Sequence, residues 1–184
     1  MNYGNIKYND IANGEGVRTS LFVSGCTHHC KNCFNPETWD FNYGKPFTSE
    51  VEKEIIESLK PIHINGLTIL GGEPMEPSNQ KALLPFVKKV KEMYPNKTIW
   101  CYTGYLFDSE LLNNSRAHCP WTRELLSYID IIVDGEFKED LKDITLRFKG
   151  SSNQRVIDVQ KSLESNSVVL SPYNEKRSKN FYGN

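Results

Sequence analysis

Gly25-Cys26-Thr27-His28-His29-Cys30-Lys31-Asn32-Cys33-Phe34-Asn35 follows directly on the apolar, strand-like run Leu21-Phe22-Val23. The stretch places three cysteines within eight residues, spaced C-x3-C-x2-C. Three thiolates on one short loop after a strand can face a single centre, and the number three is informative. A structural metal site is normally closed by four ligands, whereas a catalytic site keeps one position open. Iron–sulfur clusters are held by cysteine thiolates, usually four. A four-iron cluster on three cysteines therefore leaves one iron for a ligand that is not protein. The competing reading is a zinc loop completed by His28 or His29. Zinc knuckles usually combine C-x2-C pairs from two separated segments, and no second pair occurs here.

Outward from this loop the chain alternates strand-like and helical patterns. Residues 1–19 read as short and turn-rich. Gly14-Glu15-Gly16 fails as a dinucleotide fingerprint: no strand is expected before it, Thr19 stands where a third glycine belongs, and a strand follows. Downstream, Thr48 or Ser49 caps a helix whose apolar positions 51, 55, 56 and 59 recur at helical spacing before Pro61. Gly66-Leu67-Thr68-Ile69-Leu70 reads as a buried strand ending on Gly71-Gly72-Glu73-Pro74. A second helix is expected over 78–93, entered or bent at Pro85, and Thr98-Ile99-Trp100-Cys101-Tyr102 as the next strand. A helix over 120–128 precedes the strand Ile129-Asp130-Ile131-Ile132-Val133, which ends on Asp134-Gly135. Weaker strands are expected at 146–148 and 168–170, around a short helix at 155–163. This alternation predicts an α/β fold with a mainly parallel sheet in a single domain over residues 1–171. Residues 172–184 read as a flexible polar C-terminal tail. The residue types with chemistry in them fall just after strands, the edge where α/β folds bind ligands.

Composition is that of an ordinary soluble domain, with 38% hydrophobic and 24% charged residues. A net charge of -1 offers no bulk attraction to nucleic acid or an acidic membrane. Five cysteines, three of them on one loop, argue against a disulfide framework and for a reducing, cytoplasmic setting. No signal peptide or apolar run of membrane-spanning length is present.

The cysteine loop after a strand, together with the downstream Gly71-Gly72-Glu73-Pro74, resembles the radical S-adenosylmethionine (SAM) superfamily. The wider string through Phe34-Asn35 and Thr38-Trp39-Asp40 resembles its glycyl-radical-enzyme activases. Asn13-Gly14-Glu15-Gly16-Val17-Arg18 and Gly150-Ser151-Ser152-Asn153-Gln154-Arg155 are similar to motifs of the family that activates anaerobic ribonucleoside-triphosphate reductase.

The resemblance implies an incomplete (β/α) barrel, a choice that periodicity alone leaves open. It implies that Cys26, Cys30 and Cys33 hold a 4Fe-4S cluster whose open iron binds SAM. Gly71, Gly72 and Glu73 would form the methionine-binding edge, where glycines permit close backbone approach. Asn32 stands where many members carry an aromatic residue, so Asn32 and Phe34 are expected to share the adenine contact. Thr103, Asp134, Asn153 and Arg155 complete the expected SAM-binding set, with Arg18 on a loop near the site mouth. The implied reaction cleaves SAM reductively and abstracts hydrogen from a glycine of the class III reductase. Its implied partners are the large glycyl radical subunit of that reductase and a cytosolic electron donor such as flavodoxin or ferredoxin. Alternatives are activation of pyruvate formate-lyase, a small-molecule radical SAM enzyme of deazapurine biosynthesis, and a non-catalytic zinc-binding module. Cys101, mid-strand between Trp100 and Tyr102, reads as a buried structural cysteine.

Overall fold

The computed structural model describes residues 1–175. One seven-stranded sheet runs in the order β3-β1-β2-β4-β5-β6-β7. Its strands are β1 (Asn2–Asp10), β2 (Val17–Val23), β3 (Lys45–Pro46), β4 (Ile64–Gly71), β5 (Thr98–Tyr102), β6 (Ile131–Asp134) and β7 (Arg155–Asp158). The central pairs β2–β4, β4–β5 and β5–β6 are parallel, whereas β1–β2, β1–β3 and β6–β7 are antiparallel. The sheet is thus mixed, parallel in its core and antiparallel at both margins, which corrects the expectation of a mainly parallel one.

Four helices, α1 (Ser49–Ser58), α2 (Pro77–Met93), α3 (Thr122–Tyr128) and α4 (Val159–Ser165), all contribute to one core cluster. That cluster takes alternate strand residues such as Leu21, Leu67, Ile69, Ile99 and Ile132. The intervening residues Trp100, Ile131, Val133 and Val156 form a second cluster on the opposite face, covered by Phe148 and Tyr173 rather than by any of these helices. Period-two alternation in the strands fixes this division. As expected, α1 is capped by Thr48, whose hydroxyl accepts from Val51 N, with Glu50 and Glu52 in the first turn. Helix α2 starts on Pro77 and continues through Pro85.

Four local expectations fail. Residues 2–10 are a strand, not a turn-rich arm: their mixed polar sequence pairs β2 on one side and β3 on the other, with two register shifts. A strand therefore does precede Gly14-Glu15-Gly16, although the strand that follows still excludes a dinucleotide loop. The expected helix at 155–163 is β7 followed by α4, divided at Asp158, which caps α4 through Lys161 N. Residues 146–148 form no strand, since Phe148 adopts φ +58°. Residues 168–170 contribute only a single bridge, Leu170 to Ile157. Part of the expected tail is packed: Pro172–Asn174 form a 3₁₀ turn, and Asn174 Oδ1 accepts from Val156 N. The remainder of that tail, 176–184, lies outside the described residues. Among the described residues no helix is long and apolar enough to cross a membrane.

Candidate functional site

Strands β2, β4, β5 and β6 end together, and the loops that follow them build one pocket of about 180 Å³. Cys26, Cys30, Cys33, Phe34, Gly71, Gly72, Glu73 and Thr103, all expected from the sequence, line it together. Gly25, at φ +96°, turns the chain out of β2, and a Cβ there would lie 2.3 Å from the Phe41 ring. The loop is then sewn to its neighbours through the backbone. Gly25 N donates to Thr38 O, Glu73 N to Gly25 O and Gly72 N to Val23 O, each at 2.8 Å. A Cβ on Gly72 would stand 2.7 Å from Gly25 O and 2.8 Å from Thr38 O. The glycine edge and the cysteine loop are therefore one structure, not two independent strand ends.

Two buried carboxylates pin this assembly. Glu73 is 1% exposed. Its Oε1 accepts from Met75 N and Thr103 Oγ1, and its Oε2 from Gly104 N. Glu76 Oε1 accepts from Thr27 N at 3.0 Å, Thr27 Oγ1 at 2.6 Å and Tyr105 OH at 3.2 Å. The several donors that each carboxylate receives offset the cost of burying it.

His28 lies between two acids. Its Nδ1 is 2.6 Å from Glu136 Oε1, and its Nε2 is 3.2 Å from Glu73 Oε2 but not aligned for a hydrogen bond. Burial pulls the imidazole down, but the carboxylates of Glu73 and Glu136 outweigh it and hold it above the usual histidine range. Its ring also packs against Tyr105 at 4.3 Å. With both nitrogens facing carboxylates, His28 serves the frame of the pocket and is not free to complete a zinc site.

All five cysteines are free. Burial pushes the Cys26 thiol up to about 12, and burial followed by the Glu136 charge raises Cys30. Among the described residues no three His, Cys, Asp or Glu side chains stand so as to hold one metal ion. The three thiols line one pocket, and a set of thiolate donors suits an iron–sulfur centre. Such ligation must displace thiol protons. Trp39 also lines the pocket; its ring stacks on His29 at 4.7 Å, and its buried Nε1–H has no hydrogen-bond partner. An unpaired buried donor costs about 1–3 kcal/mol and fits an incoming acceptor such as a cluster sulfide.

Five expected residues lie away from the pocket lining. Asn32 is exposed, with φ +57°. Asp134 is fully buried, and its carboxylate receives Phe107 N and the Arg155 guanidinium. Arg155 also reaches Asp108 at 2.7 Å, so this pair ties β6 and β7 to the π-helical turn Phe107–Leu111. Asn153 donates to Glu136 O. Arg18 is buried at the opposite end of β2, far along the strand from the cysteine loop. Conversely His28, Trp39, Phe137 and Gln154 line the pocket without having been singled out as cofactor ligands. Only the spacing of His28 from Cys26 hinted at one of them.

The family described as "4Fe-4S single cluster domain" matches residues 12–157. The anaerobic ribonucleoside-triphosphate reductase-activating protein of Pasteurella multocida (strain Pm70) is 45% identical over 156 residues, covering 84% of this chain and 95% of that one. The protein of the same name from Escherichia coli (strain K12) is 41% identical over 158 residues, covering 85% and 97%. That of Enterobacteria phage T4 is 40% identical over 157 residues, covering 85% and 93%. A chain with three free thiols on one pocket, matched nearly end to end by these relatives, belongs to the family of anaerobic ribonucleoside-triphosphate reductase-activating proteins.

Proposed function

We propose that this protein is the SAM-cleaving activase of an anaerobic ribonucleoside-triphosphate reductase. Carrying the proposal is the convergence of Cys26, Cys30 and Cys33 with the Gly71–Glu73 edge on one pocket, in a chain whose relatives are named as reductase activators. Held by Cys26, Cys30 and Cys33, a 4Fe-4S cluster would supply the one electron needed to cleave SAM to methionine and a 5′-deoxyadenosyl radical, whose uptake of hydrogen from a glycine Cα would leave 5′-deoxyadenosine and a glycyl radical. The three cysteines would ligate three irons, and the protein leaves the fourth without a ligand of its own. Gly71 and Gly72, without side chains, let a ligand lie against the backbone of β4. Glu73, with Thr103 and Gly104 as donors, holds the ends of β4 and β5 at fixed separation and keeps a negative charge beside the ligand amine. Phe34 and Phe137, 5.1 Å apart, shield the pocket from water. The helix-free face of the sheet is read as the interior of an incomplete (β/α) barrel, opened for a protein substrate.

The large glycyl radical subunit of the reductase is the proposed partner, and a small electron carrier such as flavodoxin or ferredoxin the proposed reductant. The test is anaerobic reconstitution with iron and sulfide, followed by SAM, reductant and the reductase subunit, read by electron paramagnetic resonance. A glycyl doublet on the reductase is expected. A doublet on pyruvate formate-lyase alone would move the partner, and a colourless protein binding only zinc would end the proposal.

A further inference from the structure

The segment Gly150-Ser151-Ser152-Asn153-Gln154-Arg155 has no chemistry of its own, yet the chain folds its side chains back onto residues 134–138. Gln154 Oε1 accepts from Gly150 N at 2.8 Å and Ser151 N at 3.1 Å, while its Nε2 donates to Gly135 O at 2.9 Å. Asn153 Nδ2 donates to Glu136 O at 2.8 Å, and Ser151 Oγ accepts from Lys138 N at 3.2 Å. One amide side chain thus fastens both ends of the 135–150 loop together.

That loop walls a second chamber of about 430 Å³ on the helix-free face, to which it gives Phe137, Leu146, Phe148 and Lys149. The floor comes from strand residues Phe22, Leu70 and Tyr102. Phe34, Asn35, Leu70, Tyr102, Phe137 and Gln154 belong to both the thiol pocket and this chamber. Gln154 therefore stands where the two spaces meet, on the element that sets the distance between them.

We infer that Gln154 is a positioning residue: by clasping the 135–150 loop it fixes the wall between the chamber and the thiol pocket, so that a polypeptide segment in the chamber meets the reactive carbon of the ligand. This rests on the function proposed above. The bonds that tie the cysteine loop to Gly71–Glu73 do not use Gln154, although the clasped loop also carries Glu136 and Phe137 beside His28 and Cys30. Hydrogen transfer to the partner should suffer more than ligand binding, because misplacement on the order of 1 Å costs about 100-fold in a positioned reaction.

The experiment compares the parent chain with Gln154→Ala and Gln154→Glu. In the unloaded protein, hydrogen exchange at Gly150 and Ser151 is expected to accelerate roughly 10-fold or more in Gln154→Ala, as these amides lose their acceptor. Gln154→Glu retains an acceptor oxygen for Gly150 N and Ser151 N and should keep those amides protected, while replacing the donor to Gly135 O by a second acceptor. In the loaded protein, glycyl radical formed per 5′-deoxyadenosine released is expected to fall ~10-fold in Gln154→Ala and less in Gln154→Glu, a larger loss than either variant shows in SAM affinity. Unchanged exchange in Gln154→Ala would overturn the clasp. SAM affinity and radical yield falling together would overturn the positioning role. Absence of a glycyl radical with the parent chain would overturn the underlying function, and the exchange arm would still decide the clasp.

Discussion

The same strands end in two very different ways. Where β2, β4 and β5 begin, Arg18 is 0% exposed and every one of its N–H groups has a partner. Nε donates to Thr68 Oγ1, Nη1 to Glu15 O and Thr98 Oγ1, and Nη2 to Leu67 O and Thr98 O, all between 2.7 and 3.0 Å. Its guanidinium packs over Trp100 at 5.4 Å. Among the described residues no carboxylate touches it, and burial pulls it down to about 10. Where the strands finish, three thiols are free, the Trp39 indole N–H is buried and unpaired, and a pocket opens. Burying a polar group costs little when its bonds are made and about 1–3 kcal/mol when they are not. A closed polar network is therefore frame, and an open one beside a cavity awaits a ligand.

The sharpest way to break this contrast is Cys30→Ala against Cys101→Ala. Reconstituted Cys30→Ala is expected to lose the proposed cluster entirely, measured as iron and sulfide per chain. Cys101, 1% exposed within β5, should be dispensable for the cluster, with only packing at stake. Equal iron in both variants would remove the distinction between the two ends.

Next in size is Arg18→Met. It withdraws all donors from three backbone carbonyls and two hydroxyls in a dry interior, so a loss on the order of 3 kcal/mol or more is expected in urea unfolding of the unloaded protein. The folded fraction should still take up a full complement of iron. A stability change within ~0.5 kcal/mol would show that the buried cation is not part of the frame.

The smallest effect is expected at Trp39→Phe. The ring facing His29 is kept and a donor with no partner is removed, so unloaded stability should change by less than ~1 kcal/mol. In the loaded protein the cluster should shift in reduction potential, because a hydrogen-bond donor near its sulfurs is lost. A potential unmoved in Trp39→Phe would take Trp39 out of the site.

Sequence alone determined that three thiols share one loop, since C-x3-C-x2-C sets them there by covalent connection and needs no long-range contact to be read. It also determined the parallel core and most helices, because β4, β5 and β6 are short, mostly apolar runs, α1 carries a Thr48 cap, and α1 and α2 show helical spacing. Tertiary structure decided what neighbouring strands and loops supply. Strand β1 has a mixed polar sequence and exists through its pairing with β2 and β3. Residues 155–158 look helical in isolation but are captured as the antiparallel edge partner of β6. Arg18 and Asp134 read from sequence as candidates for a ligand, yet their partners come from residues up to 80 positions away and close both into the frame. The roles of His28 and Gln154 were hidden for the same reason. A side chain's function here depends on which backbone groups reach it, and those are set by the packing of β4, β5 and β6 against one another.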